Sequence, residues 1–317
     1  MGGRLCTGLV DVTSDLSALE DGGFWAVVLP FDGPAVCARF STVRNARNWP
    51  GHPWIGPTPA QWTSSLDQDG FRAGVRAIRD QIAAGDVYQV NLTRRLSAPL
   101  PLAPEHRSND IAALGAALAI GNPAPFSAVV RLPSLGLAVA SASPELFLSR
   151  RGSTVRSSPI KGTAATRDGF LAKDHAENIM IVDLVRNDLG RVCEWGSVHV
   201  PSLLSVEEHP GLFHLVSTVE GRLRPDQGWA QVIDATFPPV RSPGHPSSPR
   251  SARSLDSRRA AVASTAVRSG GSTRTGVRVS STSPSARSGS RRTSSTSVPA
   301  APSPTTRTRT VNGPRPS

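Results

Sequence analysis

The chain of 317 residues carries 35 Lys and Arg against 24 Asp and Glu, a formal charge of +11. Fourteen arginines and one aspartate lie after residue 238, so residues 1–238 hold 21 basic and 23 acidic groups and are mildly acidic. A basic protein ordinarily points to nucleic acid or an anionic membrane, but this charge sits in a tail with no aromatic side chain to stack on bases, and no specific nucleic acid is expected. No apolar run reaches the ~20 residues that span a bilayer, and no signal segment opens the chain. Cys6, Cys37 and Cys193 form neither a disulfide framework nor a metal motif, which fits a reducing cytoplasm.

Residues 1–238 are enough for one large domain. Trp25 to Pro30 and Ala35 to Phe40 flank the turn signal Phe31-Asp32-Gly33-Pro34 and predict a hairpin. Residues 41–66, with Trp49-Pro50-Gly51 and Gly56-Pro57, read as irregular surface. Phe71, Val75, Ile78 and Ile82 recur at helical spacing, and Gly85 stands where a left-handed cap would stop that helix. In residues 87–93, Tyr88, Val90 and Leu92 alternate with Gln89, Asn91 and Thr93, the pattern of a half-buried strand. Short apolar runs at 126–131, 135–140 and 145–149, with 153–156 behind them, predict an antiparallel meander.

A helix follows over 173–189, closed by Gly190. Positions 177, 181, 184 and 188 fall on one stripe that Ile181 and Leu184 make apolar, so Glu177 is expected on a buried face. A buried carboxylate needs a partner. A salt bridge to Arg186 or Arg191 would serve; so would Mg2+, a hard cation that keeps several waters and takes only one or two protein carboxylates. The tail, residues 239–317, is built of Ser, Thr, Pro, Arg, Ala and Gly with Leu255 as its one leucine. It cannot bury enough apolar surface to offset its ordering entropy and is predicted to be a disordered second segment.

Chemistry concentrates around Pro159-Ile160-Lys161-Gly162-Thr163. Upstream stands Ser141-Ala142-Ser143-Pro144-Glu145-Leu146-Phe147; downstream come Lys173-Asp174-His175-Ala176-Glu177-Asn178, then Asp183 to Gly190, then His214-Leu215-Val216-Ser217-Thr218. Singly, Lys161 could be a solvated turn charge, Glu145 a surface strand residue and His214 a core histidine. In this order the series resembles the chorismate-utilising enzymes, and the lysine makes it most similar to their aminodeoxychorismate synthase component I branch.

That resemblance implies an α+β fold of antiparallel sheets packed face to face with helices outside. It also implies a transferase that converts chorismate and ammonia into 4-amino-4-deoxychorismate for para-aminobenzoate and folate synthesis. Chorismate bears a poor leaving group, a ring hydroxyl, on a conjugated diene. Lys161 would be the nucleophile, Glu145 the acid that helps the hydroxyl depart, His214 its assistant, and Glu177 the ligand of an Mg2+ that grips the ring carboxylate. The partner would be a glutamine amidotransferase subunit that supplies ammonia. Anthranilate synthases of this family usually carry alanine where Lys161 stands, and isochorismate and salicylate synthases place their base elsewhere. The Leu-Leu-Glu-Ser run of tryptophan-regulated members is absent.

The resemblance stops at Asp234-Ala235-Thr236-Phe237-Pro238. The family continues there with a glycine-rich carboxylate cradle, whereas this chain continues with Pro239-Val240-Arg241-Ser242-Pro243. Written back into GC-rich codons and read two bases later, residues 239–248 give G-S-V-T-G-A-P-K-L, and residues 298–313 yield a second family-like motif in the same frame. The tail is therefore expected to be out-of-frame translation, the domain to be incomplete at its C-terminal side, and the chain as written to be inactive. A non-catalytic interaction remnant is the alternative.

Overall fold

The computed structural model describes residues 3–30, 33–46, 49–86, 90, 92, 94–237, 260–261 and 276–280. Its first antiparallel sheet contains β1 (Arg4–Thr13), β2 (Phe24–Pro30) and β3 (Val36–Asn45) in the order β1-β3-β2. The β2–β3 hairpin follows the two expected runs, with Trp25 opposite Arg39 and Val28 opposite Val36. Residues 24–29 are buried on both faces of β2. Trp25, Val27 and Leu29 enter the main core, while Ala26 and Val28 enter a smaller one. Period-two alternation thus divides one apolar strand between two cores. β3 extends past Phe40, into residues expected to be irregular, because β1 pairs with it as far as Arg4 opposite Asn45. As the edge strand, β1 leaves Leu5, Leu9, Val10 and Val12 exposed.

The short strands β4 (Thr63–Ser64) and β5 (Leu96–Ser97) pair across α1 (Gln68–Ala84). The Asp67 carboxylate accepts the Gly70 N–H at 2.7 Å and caps the start of α1. Gly85, at φ 79°, ends it in the left-handed conformation that glycine reaches without a steric penalty. Phe71 and Val75 are half-buried and Ile78 buried, but Ile82 at the frayed end is exposed. The expected strand over 87–93 lies largely outside the described residues.

Helix α2 (Ile111–Gly121) packs on the hairpin of β6 (Ala128–Leu132) and β7 (Leu137–Ser141). Val130 and Leu132 of that hairpin complete the smaller core with Ala26, Val28 and Ala38. The hairpin is a sheet of its own, so the expected single meander breaks after Ser141. Pro144 explains the break: it has no N–H to give a ladder, and the Ser143 hydroxyl turns back on the Glu145 backbone N–H at 3.3 Å.

The larger sheet begins there, with β8 (Leu146–Arg151), β9 (Thr154–Ser158) and β10 (Ile160–Ala164). After α3 (Ala172–Gly190) come β11 (His199–His209), β12 (Leu212–Arg222) and the short helix α4 (Trp229–Thr236). β12 pairs with β11 along one edge; along the other it pairs with β10 through residues 213–216 and with β9 through residues 219–222. α3 lies on β10 and β12. The main core joins Trp25, Val27 and Cys37 of the first sheet to Leu148, Val155 and Val219 of the second, with Leu189, Trp229 and Val232 from the helices. One carboxylate also ties these layers: Glu20 Oε1 accepts the Trp229 N–H at the start of α4 and pairs with Arg150, both at 2.7 Å. The fold class is α+β with antiparallel sheets.

Within the tail, β13 (Ala260–Ala261) pairs with β2 and β14 (Gly276–Ser280) with β8. The rest of the segment expected to be disordered lies outside the described residues. Among the described residues no helix is long and apolar enough to cross a membrane.

Burial pushes the thiols of Cys37 and Cys193 up to about 11. A thiol must lose its proton to react. Iodoacetamide at pH 8 is therefore expected to alkylate Cys6 first and to spare the other two until denaturant is added, as peptide mass spectrometry would show.

Candidate active site

Lys161 does not sit in a turn. It lies in a β-bulge: Ile160 faces Val216 and Thr163 faces His214, so β10 spends one more residue than β12, and neither Lys161 nor Gly162 has a register partner. Gly162, at φ 92°, supplies the positive-φ residue of the bulge. A Cβ there would lie 3.0 Å from Asp174 Cβ and 3.3 Å from the Phe170 ring. Such bulges re-aim a side chain out of the alternating pattern.

Glu145 meets this bulge from the bend just before β8. Its Oε1 accepts the Ile160 N–H at 3.1 Å. The residue keeps part of its surface open, yet its carboxyl is set among protein atoms. Burial pushes that carboxyl above its usual range, while the Lys161 ammonium nearby and the Ile160 N–H pull the other way. His214 is buried on β12 and shares a 3.0 Å hydrogen bond between its Nδ1 and Thr163 Oγ1. The His209 ring stands edge-on to it with centroids 4.7 Å apart. Strand β10 therefore gathers three of the four candidate residues: it carries Lys161, donates to Glu145 and holds His214 through Thr163.

Glu177 departs from expectation. It is exposed, and the buried side of α3 is instead Asp174, Asn178, Ile181, Val182, Asp188 and Leu189. Asn178, wholly buried, sets the helix phase: its Nδ2 donates to Leu215 O at 2.9 Å and Lys161 O at 3.4 Å, and Ser217 Oγ donates to its Oδ1. Of the expected stripe, Ile181 and Asp188 are buried and Leu184 half-buried; its first position, Glu177, lies outside because Asn178 takes the inward place, and hydrophobic periodicity passes over a buried amide. Neither suggested cation pairs with Glu177. Arg186 pairs with Asp183 at 3.2 Å, and Arg191 donates to Ala235 O. Gly190 is the last residue of α3, as expected, and the cap that follows it, Arg191, is right-handed. Among the described residues no group of three His, Cys, Asp or Glu side chains is arranged to hold a metal ion.

Thr163, Asn178, His209 and Ser217 are the neighbours that motif reading missed. Three of them stand inside the quoted motifs, where their types alone did not separate support from chemistry.

Residues 50–249 match the family of chorismate binding enzymes, and the chain belongs to that family. It is 41% identical over 189 residues to aminodeoxychorismate synthase component 1 of Klebsiella aerogenes, covering 56% of this chain and 40% of that protein. Over 216 residues it is 36% identical to an anthranilate synthase component 1 of Haloarcula marismortui, covering 64% of this chain and 42% of that protein. The chain thus spans about 40% of the length of these curated relatives. Its fold is also that of solved chorismate enzymes. The anthranilate synthase component I from Streptococcus pneumoniae TIGR4 superposes with a TM-score of 0.56 at 22% identity over 68% of this chain and 61% of that one. The menaquinone-specific isochorismate synthase of Escherichia coli gives 0.55 at 14% identity over 87% and 75%.

Two outcomes follow from this geometry. Gly162→Ala should lower stability by about 1–3 kcal/mol, the cost of a non-glycine residue at strained φ, read as a fall in the urea midpoint. The second concerns Glu145, whose folded pKa lies above its unfolded one. Its contribution to stability is present at acid pH and is lost as pH rises from the ordinary glutamate value through the folded value. Glu145→Gln keeps the acceptor for Ile160 and removes the charge. Its melting temperature should exceed that of the parent at pH 7.5, and the difference should vanish near the ordinary glutamate value of about 4.3.

Proposed function

We propose that this site carries out the aminodeoxychorismate synthase component I reaction, with Lys161 as nucleophile and Glu145 as general acid. The observation that supports it most is a lysine presented by a bulge toward a carboxyl that burial inclines to keep its proton. The free amine of Lys161 would add to the ring carbon beside the one bearing the carboxylate, forming a C–N bond and losing the amine proton to solvent. The ring double bonds shift, the C–O bond to the ring hydroxyl breaks, and Glu145 supplies the proton with which it leaves as water. Ammonia then adds where the hydroxyl departed, the double bonds shift back, and the lysine leaves. The net change is chorismate plus ammonia to aminodeoxychorismate plus water.

His214, held by Thr163, assists at the same hydroxyl, and a glutamine amidotransferase subunit is the proposed source of ammonia. The proposed metal is Mg2+ at Glu177. Among the described residues no group of three His, Cys, Asp or Glu side chains surrounds it, so no step is drawn through the ion. Relatives named for both aminodeoxychorismate and anthranilate synthases match at comparable identity, and the lysine is the feature that favours the first.

The proposal extends to residues 239–317: read in this frame they do not provide the family's glycine-rich cradle, and turnover requires the other frame. Two proteins are therefore compared, the chain as written and one with the frame restored after codon 238, each given chorismate, Mg2+ and ammonia. Mass spectrometry should find aminodeoxychorismate from the restored protein alone, and Lys161→Ala should divert or abolish it. Anthranilate as its main product would overturn the lysine assignment, and turnover by the chain as written would overturn the reading of the tail.

A further inference from the structure

A second layer of the site lies beneath the lysine, in the wholly buried amide of Asn178. Helices that pack on sheets ordinarily do so with apolar side chains; a buried amide is tolerated only when its hydrogen-bonding groups are matched. Here one Nδ2 reaches across two strands, to the carbonyl of Lys161 on β10 at 3.4 Å and to that of Leu215 on β12 at 2.9 Å. These are the two strands that the bulge forces out of register, between Ile160 opposite Val216 and Thr163 opposite His214. The amide spans the gap that the extra residue opens. Its Oδ1 is held in turn by the Ser217 hydroxyl, which also accepts the Leu204 N–H at 2.9 Å. Leu204 is the one non-glycine residue at positive φ among those described, at 58°, and sits in a second irregularity, between Ser202 opposite Thr218 and Ser205 opposite Val216. One buried network therefore pins two irregular strands to α3 from both sides of β12.

The close approach of the helix agrees with this. A Cβ on Gly162 would meet Asp174 Cβ at 3.0 Å and Leu215 Cβ at 3.4 Å, so the backbone beside Lys161 has no room to relax toward α3. Between them, Gly162 and Asn178 fix the peptide plane from which the lysine side chain leaves.

We propose that Asn178 is a positioning residue that clamps the Lys161 carbonyl in the β10 bulge and so aims the lysine amine at Glu145. This rests on the reading of Lys161 as the nucleophile, but its test does not need turnover. Lys161 and Lys173 are the two lysines of the chain, and Lys173 is exposed, so an amine-reactive probe has one site of interest and one internal reference. In Asn178→Ala the released amine swings toward solvent. Labelling of Lys161 relative to Lys173 by acetic anhydride should rise about fivefold, the ratio that one net hydrogen bond of ~1 kcal/mol is worth. The Glu145 carboxyl, followed by carbon NMR, should titrate at higher pH because it loses the pull of Lys161, in the direction that Lys161→Met sets as the limit.

Ser217→Ala separates positioning from mere stability. It breaks the same network and lowers stability, but it leaves both Nδ2 bonds in place and should move neither readout. If Asn178→Ala does not fold, the unmutated protein still decides the matter. Both side-chain amide protons of Asn178 should resist hydrogen exchange, and free exchange of the one not bonded to Leu215 would overturn the clamp. Equal shifts in Asn178→Ala and Ser217→Ala, or none in either, would overturn it too. Anthranilate from the restored enzyme alongside shifted labelling would instead leave the clamp standing and remove the nucleophile.

Discussion

Strand β12 bears two different neighbours on one edge, β10 near its start and β9 near its end, and the site exists because of that fork. Residues 213–216 answer to β10 and residues 219–222 to β9, with β11 along the whole opposite side. A strand so enclosed must satisfy its backbone groups within the sheet or from the helix above it. Where β10 carries one residue too many, the ladder cannot do this alone, and Asn178 and Ser217 supply the missing bonds from α3 and from β12 itself. In this small network the Asn178 amide is engaged at both ends, and the Ser217 hydroxyl both donates and accepts. Low polarity around such bonds strengthens each of them and makes loss of any one costly.

That arrangement also accounts for the electrostatics. The Glu145 carboxyl is buried just before β8, with a backbone N–H and a lysine tempering the penalty of burial. A carboxyl in water would be ionised at neutral pH and useless as a proton donor; one buried without any cation would unsettle the fold. A buried carboxyl beside a single ammonium lies between the two, and the acid role proposed for Glu145 would draw on that balance.

Sequence reading reached the parts of the fold that depend on local pattern. The Phe71, Val75 and Ile78 spacing with Gly85 placed α1, and two apolar runs about a Gly-Pro turn placed the β2–β3 hairpin. It missed β1, whose alternation is broken by Gly8 and Asp11, and α2, whose Ile111-Ala112-Ala113-Leu114-Gly115-Ala116 run is apolar all round and so has no period to detect. On α3 it placed Ile181 and Asp188 inward as found but put Glu177 on the inner face in place of Asp174 and Asn178, which are buried for their hydrogen bonds and read as surface on any hydrophobic scale. In the site, motif order singled out Glu145, Lys161 and His214; that they meet around β10 is tertiary. The bulge beneath Lys161 was hidden because a Pro-Ile-Lys-Gly-Thr string is equally compatible with a turn, and only pairing with β12 distinguishes them.

The bulge has a last property, which concerns how such a site can change over time. Its shape is set in the backbone, by the extra residue and Gly162, and by the Asn178 amide that holds the Lys161 carbonyl. The socket and the reagent it holds are separate. On the proposed chemistry, a descendant could exchange the amine for a small inert side chain with the backbone undisturbed and Glu145 still in place, and so leave the position beside the bulge to a different incoming nucleophile. Chemistry on this scaffold can therefore diverge by replacement of one residue, while any change at 162 or 178 must first contend with the fold.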